Sequence, residues 1–199
     1  MQINKERITR GNGLLEPTLA RLRAKKANQL IPESIRDGRI LDIGCGSYPY
    51  FLSHTAFQEK YAVDQQLPPA EHIEIRWHTL NLNEDPHLPF EDEFFDVITM
   101  LAVIEHLNPT SLVSLFKETY RVLNVGRVLI LTTPAAWSDR LLGWMAKINL
   151  VSAEEIEEHV FTYTLPLLGW YFGKAGFEMR KIRFGYFEAG LNLWAVAER

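Results

Sequence analysis

The stretch that decides the fold is RILDIGCGS, residues 39–47. Ile40–Ile43 has the largely apolar composition of a buried strand, and the strand stops at the turn Gly44–Gly46. Ser47 then predicts a helix start, since serine is a preferred N-cap residue. Glycines let a ligand approach the backbone, and a helix N-terminus offers N–H groups to an anionic group. The stretch therefore predicts a strand, a turn and a helix that together hold a small molecule.

The composition is that of a single α/β domain. The chain has 199 residues, of which 47% are hydrophobic, and a formal net charge of −4, which disfavours a nucleic-acid partner. The charge is uneven, because residues 1–39 hold nine Lys and Arg against four Asp and Glu. Cys45 is the single cysteine, and neither a membrane span nor a signal-peptide core is visible, so we predict a cytoplasmic protein.

The order of predicted elements points to a parallel sheet. Strands are predicted at Arg39–Ile43, Lys60–Val63, Ile73–Thr79, Phe94–Met100, Arg127–Thr132, Glu178–Arg183 and Leu191–Ala197. Helices are predicted at Leu14–Ile31, Ser47–Phe57, Leu112–Leu123 and over most of 135–176. Alternating strands and helices give right-handed crossovers, whereas the last two strands are too close for one and form a hairpin. We therefore predict an α/β, doubly wound, mostly parallel seven-stranded sheet of Rossmann-like type, with an antiparallel last strand and helices on both faces.

The chain divides into a lead segment at 1–37 and a main domain at 38–199. Two interpretations of the basic lead helix remain open. It is either a packing helix with a solvated basic face, or a lid over the active site that contacts phosphate or an anionic membrane.

Candidate binding residues follow the carboxyl ends of the first two strands, where open parallel sheets bind ligands. Asp64 ends the second strand, eighteen residues beyond Gly46, and a carboxylate there can accept two hydrogen bonds from a ribose diol. A dinucleotide fingerprint needs a third glycine, but Pro49 occupies that position. A ligand with a ribose and a small carboxylate, without pyrophosphate, fits better.

These motifs together resemble a known enzyme family. They are LDIGCG at 41–46, YAVD at 61–64, LPFEDEFFDVI at 88–98, IEHL at 104–107, YRVL at 120–123 and TTP at 132–134. In order and spacing they resemble the class I S-adenosylmethionine-dependent methyltransferases, within them the small-molecule branch that includes ubiquinone-biosynthesis enzymes. The resemblance covers about residues 38–198.

The resemblance implies S-adenosylmethionine as cofactor and assigns roles on the first two strands. Gly44, Cys45 and Gly46 would contact the methionine part of the cofactor. Asp42 would bind the amino group of the cofactor, and Asp64 would hold the ribose diol.

Further roles fall on the next two strand ends. Asn81 would face the adenine amino group, with the Leu82 backbone N–H near the ring, although this family usually has Asp at the first of these positions. Met100 or Leu101 would line the methionine side.

The reaction needs few catalytic side chains, because the methyl group is already activated. His106 is the first candidate for a base, or alternatively orders its loop by hydrogen bonding. His159 is the second, with Tyr163 four residues later on the same predicted helical side. Some relatives bind a metal on Glu-x-x-Glu-His, but Ala102 replaces the first carboxylate here, so we expect no metal.

The insert at about 135–172 is rich in aromatic and aliphatic residues. It indicates a cover over an apolar substrate, which Leu141 and Trp144 would contact, or a lid that touches a lipid surface. Alternatively it packs on the sheet as core.

We thus expect methyl transfer to a small, lipophilic metabolite, with peripheral contact to a membrane or lipid and no nucleic acid. The sequence does not set the oligomeric state. Alternatives are a non-catalytic module that binds the cofactor or its demethylated product, and a nicotinamide-dependent oxidoreductase, which Pro49 disfavours.

Overall fold

A seven-stranded sheet forms the centre of the computed structural model, which describes residues 14–68, 74–153, 156 and 160–199. Its strands are β1 Arg39–Ile43, β2 Glu59–Asp64, β3 Ile75–Thr79, β4 Phe95–Leu101, β5 Leu123–Pro134, β6 Ile182–Phe187 and β7 Asn192–Glu198. The strand order is β3-β2-β1-β4-β5-β7-β6, and β7 is antiparallel to both of its neighbours. This confirms the predicted sheet, including the antiparallel last strand.

The strand order reverses between β1 and β4, so their carboxyl ends leave a crevice at the rim of the sheet. The parallel register places Asp42 of β1 beside Thr99 of β4, and Ile43 beside Val63 of β2. Asp64, the last residue of β2, therefore lies at the same edge as the turn that follows β1.

Helices cover both faces of this sheet. They are α1 Glu16–Leu30, α2 Tyr50–Ser53, α3 Pro109–Val122, α4 Asp139–Lys147 and α5 Leu165–Ala175. α3 and α5 bury Phe116 and Phe172, whose rings stack at 5.1 Å, in one core cluster with Leu41 and Ile98. α1 buries Ala27 in the cluster on the other face.

Two predicted helices are shorter than expected. α2 begins at Tyr50 instead of Ser47, because the residue before a proline disfavours helical backbone, and Tyr48 precedes Pro49. The predicted helical stretch 135–176 is only partly helical. α4 ends at Lys147, and α5 begins after Thr164, whose hydroxyl accepts a hydrogen bond from the Leu167 N–H and caps the helix.

The segment between β5 and α5, which includes α4, leaves and rejoins the sheet at one place. Ala135, directly after β5, forms a β-bridge with Tyr163, and the Ala136 N–H donates to the Tyr163 carbonyl at 2.9 Å. Tyr163 is fully buried and lies outside any helix, so its predicted place on a helical face with His159 is wrong.

Within the part of the chain that the structure describes, no helix combines the length and the apolar character needed to cross a membrane.

Candidate active site

A cavity of about 310 Å³ lies above the carboxyl ends of β1 and β2. Asp42, Gly44–Gly46 and Asp64 form the floor of this cavity, and we call them the rim. Residues in Glu16–Ala24 of α1, together with Leu142 of α4 and Val151, form its roof, and we call this part the cover. Eight of the nine cofactor-site residues that the sequence predicts line this cavity, and Met100 is the exception.

The glycine turn owes its shape to two left-handed residues. Gly44 has φ +74° and Gly46 has φ +68°, a region that side chains rarely adopt. A Cβ at Gly44 would lie 2.5 Å from the Cγ2 atom of Val103, whereas a Cβ at Gly46 would meet no atom within 4 Å. Gly44 is therefore required by packing inside the protein, and Gly46 leaves open space above the turn for a ligand.

Asp42 is buried at the end of β1 beside this turn. Its Oδ1 accepts a hydrogen bond of 2.6 Å from the Thr99 hydroxyl. Burial is the main cause that raises its pKa to about 7, and the charge of Asp64 adds to it. Such a carboxylate gains most from a cationic partner, which an amino group of a ligand would supply.

Asp64 braces the turn and the chain that follows β2. Its Oδ2 accepts from the Gly46 N–H at 2.8 Å, and its Oδ1 accepts from the Gln66 N–H at 2.9 Å. A carboxylate has about four acceptor sites, so both oxygens retain capacity for a diol.

Cys45 lies between the two glycines and is half-buried. Burial, followed by the charges of Asp42 and Asp64, raises the pKa of its thiol. Cys45 therefore stays a neutral thiol, and its contribution to a ligand comes from its backbone.

The loop after β3 holds Asn81 and Leu82 at the edge of the cavity. Asn81 accepts the Asn83 N–H on its side-chain oxygen and donates to Glu84, so it stabilises its own turn. Its oxygen keeps one lone pair for a donor such as an adenine amino group. The adenine roles of Asn81 and Leu82 stay predictions.

Met100 and Leu101, at the end of β4, are the two candidates for contact with the methionine part of the cofactor. Met100 is fully buried in the core and does not line the cavity, whereas Leu101 does. Alternation along the strand explains this, since neighbouring side chains point to opposite faces. Ala102 follows with φ +57° and turns the chain toward Ile104–His106.

His106 lines the cavity on that short 3-10 turn. Asn83 stabilises this turn with two hydrogen bonds. Its side chain accepts from the Asn108 N–H at 2.8 Å and donates to the His106 carbonyl at 3.4 Å. The structure thus places His106 at the cavity wall, and its role as a base stays a prediction. His159 lies outside the described residues.

Charged residues that sequence reasoning missed surround the covered end of the cavity. Arg23 approaches Glu16 to 3.8 Å, and its charge also acts on Glu105 and Glu188. Glu105 is buried, which is the main cause of its raised pKa, and accepts from the Thr133 hydroxyl at 3.0 Å. The signal for Arg23 was its spacing from Glu16 on α1, which places both on one helical face.

Glu188 has one further property. One carboxylate oxygen is bonded by Asn192, while Oε1 is buried and accepts no hydrogen bond from any residue that the structure describes. Carboxylates outnumber the single arginine here, so this end suits a ligand that is cationic or donates hydrogen bonds.

The cover is closed by hydrogen bonds between α1 and the segment after α4. The N–H groups of Leu14 and Leu15 donate to the carbonyls of Asn149 and Leu150, at 3.2 and 2.9 Å. The Ser152 N–H donates to Glu16 Oε1 at 3.0 Å.

The two residues expected to contact an acceptor are on the wrong side of this cover. Leu141 and Trp144 are exposed on its outside and do not line the cavity, and Leu142 and Val151 face it instead. The reason is the period of α4, which turns Leu142 inward and its neighbours outward.

Among the described residues no three His, Cys, Asp or Glu side chains are grouped closely enough to hold a metal ion.

Comparisons with known proteins identify the family of the chain. A family model described as "Methyltransferase domain" matches residues 15–182. A search of curated proteins found no match.

Solved structures share the fold at low sequence identity. A SAM-dependent methyltransferase from Archaeoglobus fulgidus is 17% identical, with 92% of this chain and 94% of that chain covered and a TM-score of 0.67. One from Mesorhizobium loti is 16% identical, with 91% and 100% covered and a TM-score of 0.65. A Thermotoga maritima protein, described as a SAM-dependent methyltransferase and possible histamine N-methyltransferase, is 22% identical, with 91% and 89% covered and a TM-score of 0.63.

At these identities the structures show the fold, and the family model shows the membership. The chain therefore belongs to the methyltransferase-domain family, with the class I fold and with S-adenosylmethionine as its cofactor.

Proposed function

We propose that the protein transfers the methyl group of S-adenosylmethionine to a small, lipophilic acceptor held under the cover. One observation carries this proposal: a single cavity joins the polar rim to a roof in which Leu19, Leu142 and Val151 are apolar, with the charged Glu16 and Arg23 beside them. The rim supplies carboxylates for a sugar and an amino group, and the roof supplies an apolar surface next to acceptors for a hydrogen-bond donor on the substrate. The resemblance to the small-molecule branch of the family supports the same class of acceptor.

The residues of the rim fit the cofactor. Asp64 would accept hydrogen bonds from the ribose diol, Asp42 would face the amino group, and Gly46 would leave room for the methionine chain. When bound, S-adenosylmethionine supplies a methyl group on a positively charged sulfur, already activated for in-line displacement. The chain itself has to orient an acceptor in line and exclude water, for which the closed cover is suited.

An oxygen acceptor would also lose a proton. His106 lies at the cavity wall and is the first candidate to accept it, with the buried carboxylate of Glu105 beside it. The alternative role for His106 is to order the loop that Asn83 braces. His106→Gln separates them: a base predicts a fall in kcat of about 100-fold with S-adenosylhomocysteine affinity unchanged, whereas a loop role predicts a changed KM.

The proposal is tested by single-turnover transfer from S-adenosylmethionine with a labelled methyl group. The protein is mixed with a metabolite extract that has been divided into a lipid fraction and a water-soluble fraction. We expect label in a product of the lipid fraction, and none with Asp64→Ala. Tight binding of S-adenosylhomocysteine without transfer to either fraction would instead support the non-catalytic module, and transfer only to water-soluble products would contradict a lipophilic acceptor.

A further inference from the structure

Four large apolar side chains form an exposed stripe on the outside of α4. They are Trp137, Leu141, Trp144 and Ile148. Leu141, Trp144 and Ile148 are spaced three and four residues apart and share one face of α4, and Trp137 lies on the 3-10 turn Ala136–Ser138 just before the helix. The exposed fractions of Trp137 and Trp144 are 58% and 57%, which is unusual for tryptophan. More than half of each of these two side chains is therefore left uncovered by the residues that the structure describes.

The stripe continues onto the start of α1. Leu14 is exposed, and its N–H donates to the Asn149 carbonyl, directly beside Ile148. Further along α1 the exposed positions include Arg21, Leu22 and Lys25, which follow Leu14 on the same helical face. The apolar stripe is thereby joined, through Leu14, to a helix with two exposed basic side chains, and Lys147 is exposed on α4 itself.

We propose that this surface docks on a bilayer that contains anionic phospholipids. Tryptophan is favoured at the membrane interface, and exposed Arg and Lys beside an apolar helix face are attracted to anionic headgroups. The exposed cations Arg21, Lys25 and Lys147 supply the positive charge that is complementary to such headgroups.

Docking there would give the cavity its acceptor, a step that rests on the proposed function. α4 is a single layer between the two surfaces, because Leu142 faces the cavity while Leu141 and Trp144 face outward. A lipophilic acceptor leaving the bilayer at this helix reaches the cavity once the hydrogen bonds at Asn149, Leu150 and Ser152 open. The cover thereby serves both as the contact with lipid and as the entrance.

Vesicle co-sedimentation of the full chain tests the proposal. Extruded vesicles of phosphatidylcholine are compared with vesicles in which about one third of the lipid is phosphatidylglycerol. We expect binding to the anionic vesicles, with a partition coefficient that falls about fivefold for each of Arg21→Gln and Lys25→Gln. Lys117→Gln and Arg183→Gln, exposed elsewhere, remove the same charge and should leave binding unchanged.

The apolar contribution is tested by Leu141→Ser with Trp144→Ser, which should weaken binding about tenfold or more. Trp170→Ser is the matched control, because Trp170 on α5 is 51% exposed but lies outside the stripe. All variants should keep the affinity for S-adenosylhomocysteine, which shows that they are folded and tests the cofactor site independently of docking. If the unmodified protein does not bind S-adenosylhomocysteine, the proposed function is contradicted, whereas the docking proposal is not affected.

Three results would overturn the docking proposal. They are no sedimentation with either vesicle, equal weakening by Trp170→Ser, and a dimer in light scattering that Trp144→Ser dissociates. The last would show that a second copy of the chain covers the stripe.

Discussion

The rim and the cover of one cavity are built on different principles. The rim consists of backbone turns and buried side chains at the ends of central strands, such as Asp42 with its hydrogen bond to Thr99. The cover consists of two segments far apart in sequence, which meet through the hydrogen bonds of Leu14, Leu15 and Ser152. Segments held by few bonds open at a smaller free-energy cost than core strands. The comparison suggests a fixed floor for the cofactor and a movable roof for the acceptor.

The largest expected effect is on the floor. Gly44→Ala should lower the free energy of unfolding by about 3 kcal/mol, because it combines a left-handed backbone with a contact that must displace Val103. Gly46→Ala is the matched variant, with similar φ but open space, and should cost only about 1 kcal/mol while weakening S-adenosylhomocysteine binding. Urea denaturation and calorimetry measure the two quantities. Equal unfolding free energies for the two variants would remove the packing argument for Gly44.

The next effect concerns Asp64. Asp64→Ala should weaken binding of S-adenosylhomocysteine by about 2 kcal/mol or more, or about thirtyfold, because charge-assisted hydrogen bonds to the ribose are lost. The Gly46 and Gln66 N–H groups also lose their acceptor. Asp37→Ala, exposed before the start of β1, is the control. Unchanged affinity in isothermal titration calorimetry would remove Asp64 from the ribose role.

The buried charge at Asp42 predicts a pH dependence of the floor. Its pKa rises from 3.8 to about 7 on folding, so its ionisation destabilises the unliganded protein above pH 7, and this cost disappears as the pH falls toward 4. Asp42→Asn should therefore raise the Tm at pH 8 and change it little at pH 4.

The same group links pH to binding. A ligand amino group stabilises the carboxylate, so affinity for S-adenosylhomocysteine should rise between pH 5.5 and pH 7, by up to about tenfold per pH unit. Titrations at several pH values should lose this slope in Asp42→Asn. If the affinity still rises with pH in Asp42→Asn, a group other than Asp42 causes the pH dependence.

The smallest effect is expected on the roof. Glu16→Ala removes the acceptor of the Ser152 N–H and the partner of Arg23, and should cost about 1 kcal/mol or less. Hydrogen exchange of peptides over 149–153 should become about fivefold faster, with exchange of β1 unchanged. Glu33→Ala is the control, since Glu33 pairs with Arg36 on the exposed surface. Faster exchange in β1 as well would mean that floor and roof open together.

The same division explains what could be predicted from sequence. The mostly parallel sheet and the rim residues follow from short local patterns, such as a buried strand that ends in Gly44–Gly46. Leu101 and Met100 could not be separated that way, because their faces depend on where β4 sits relative to the crevice. The charge of Arg23 acts on Glu188 across 165 positions of sequence, a proximity that no local pattern encodes.

The insert shows the same limit. Leu141 and Trp144 have the composition of a core or a substrate pocket, and composition alone cannot tell an inward face from an outward one. Pro166 and the N-cap residue Thr164 mark the start of α5 at Leu165. The sequence prediction missed this signal because apolar residues continue through most of 135–176.

The β-bridge between Ala135 and Tyr163 has a consequence for how such a protein can change. It sets the two ends of the insert side by side at the carboxyl end of β5, so loops of other lengths and compositions can join the same two points without straining the strands. The segment 136–162 can therefore be exchanged as one unit, in evolution or by design. The strands and turns that form the cofactor-binding rim would stay unchanged by such an exchange.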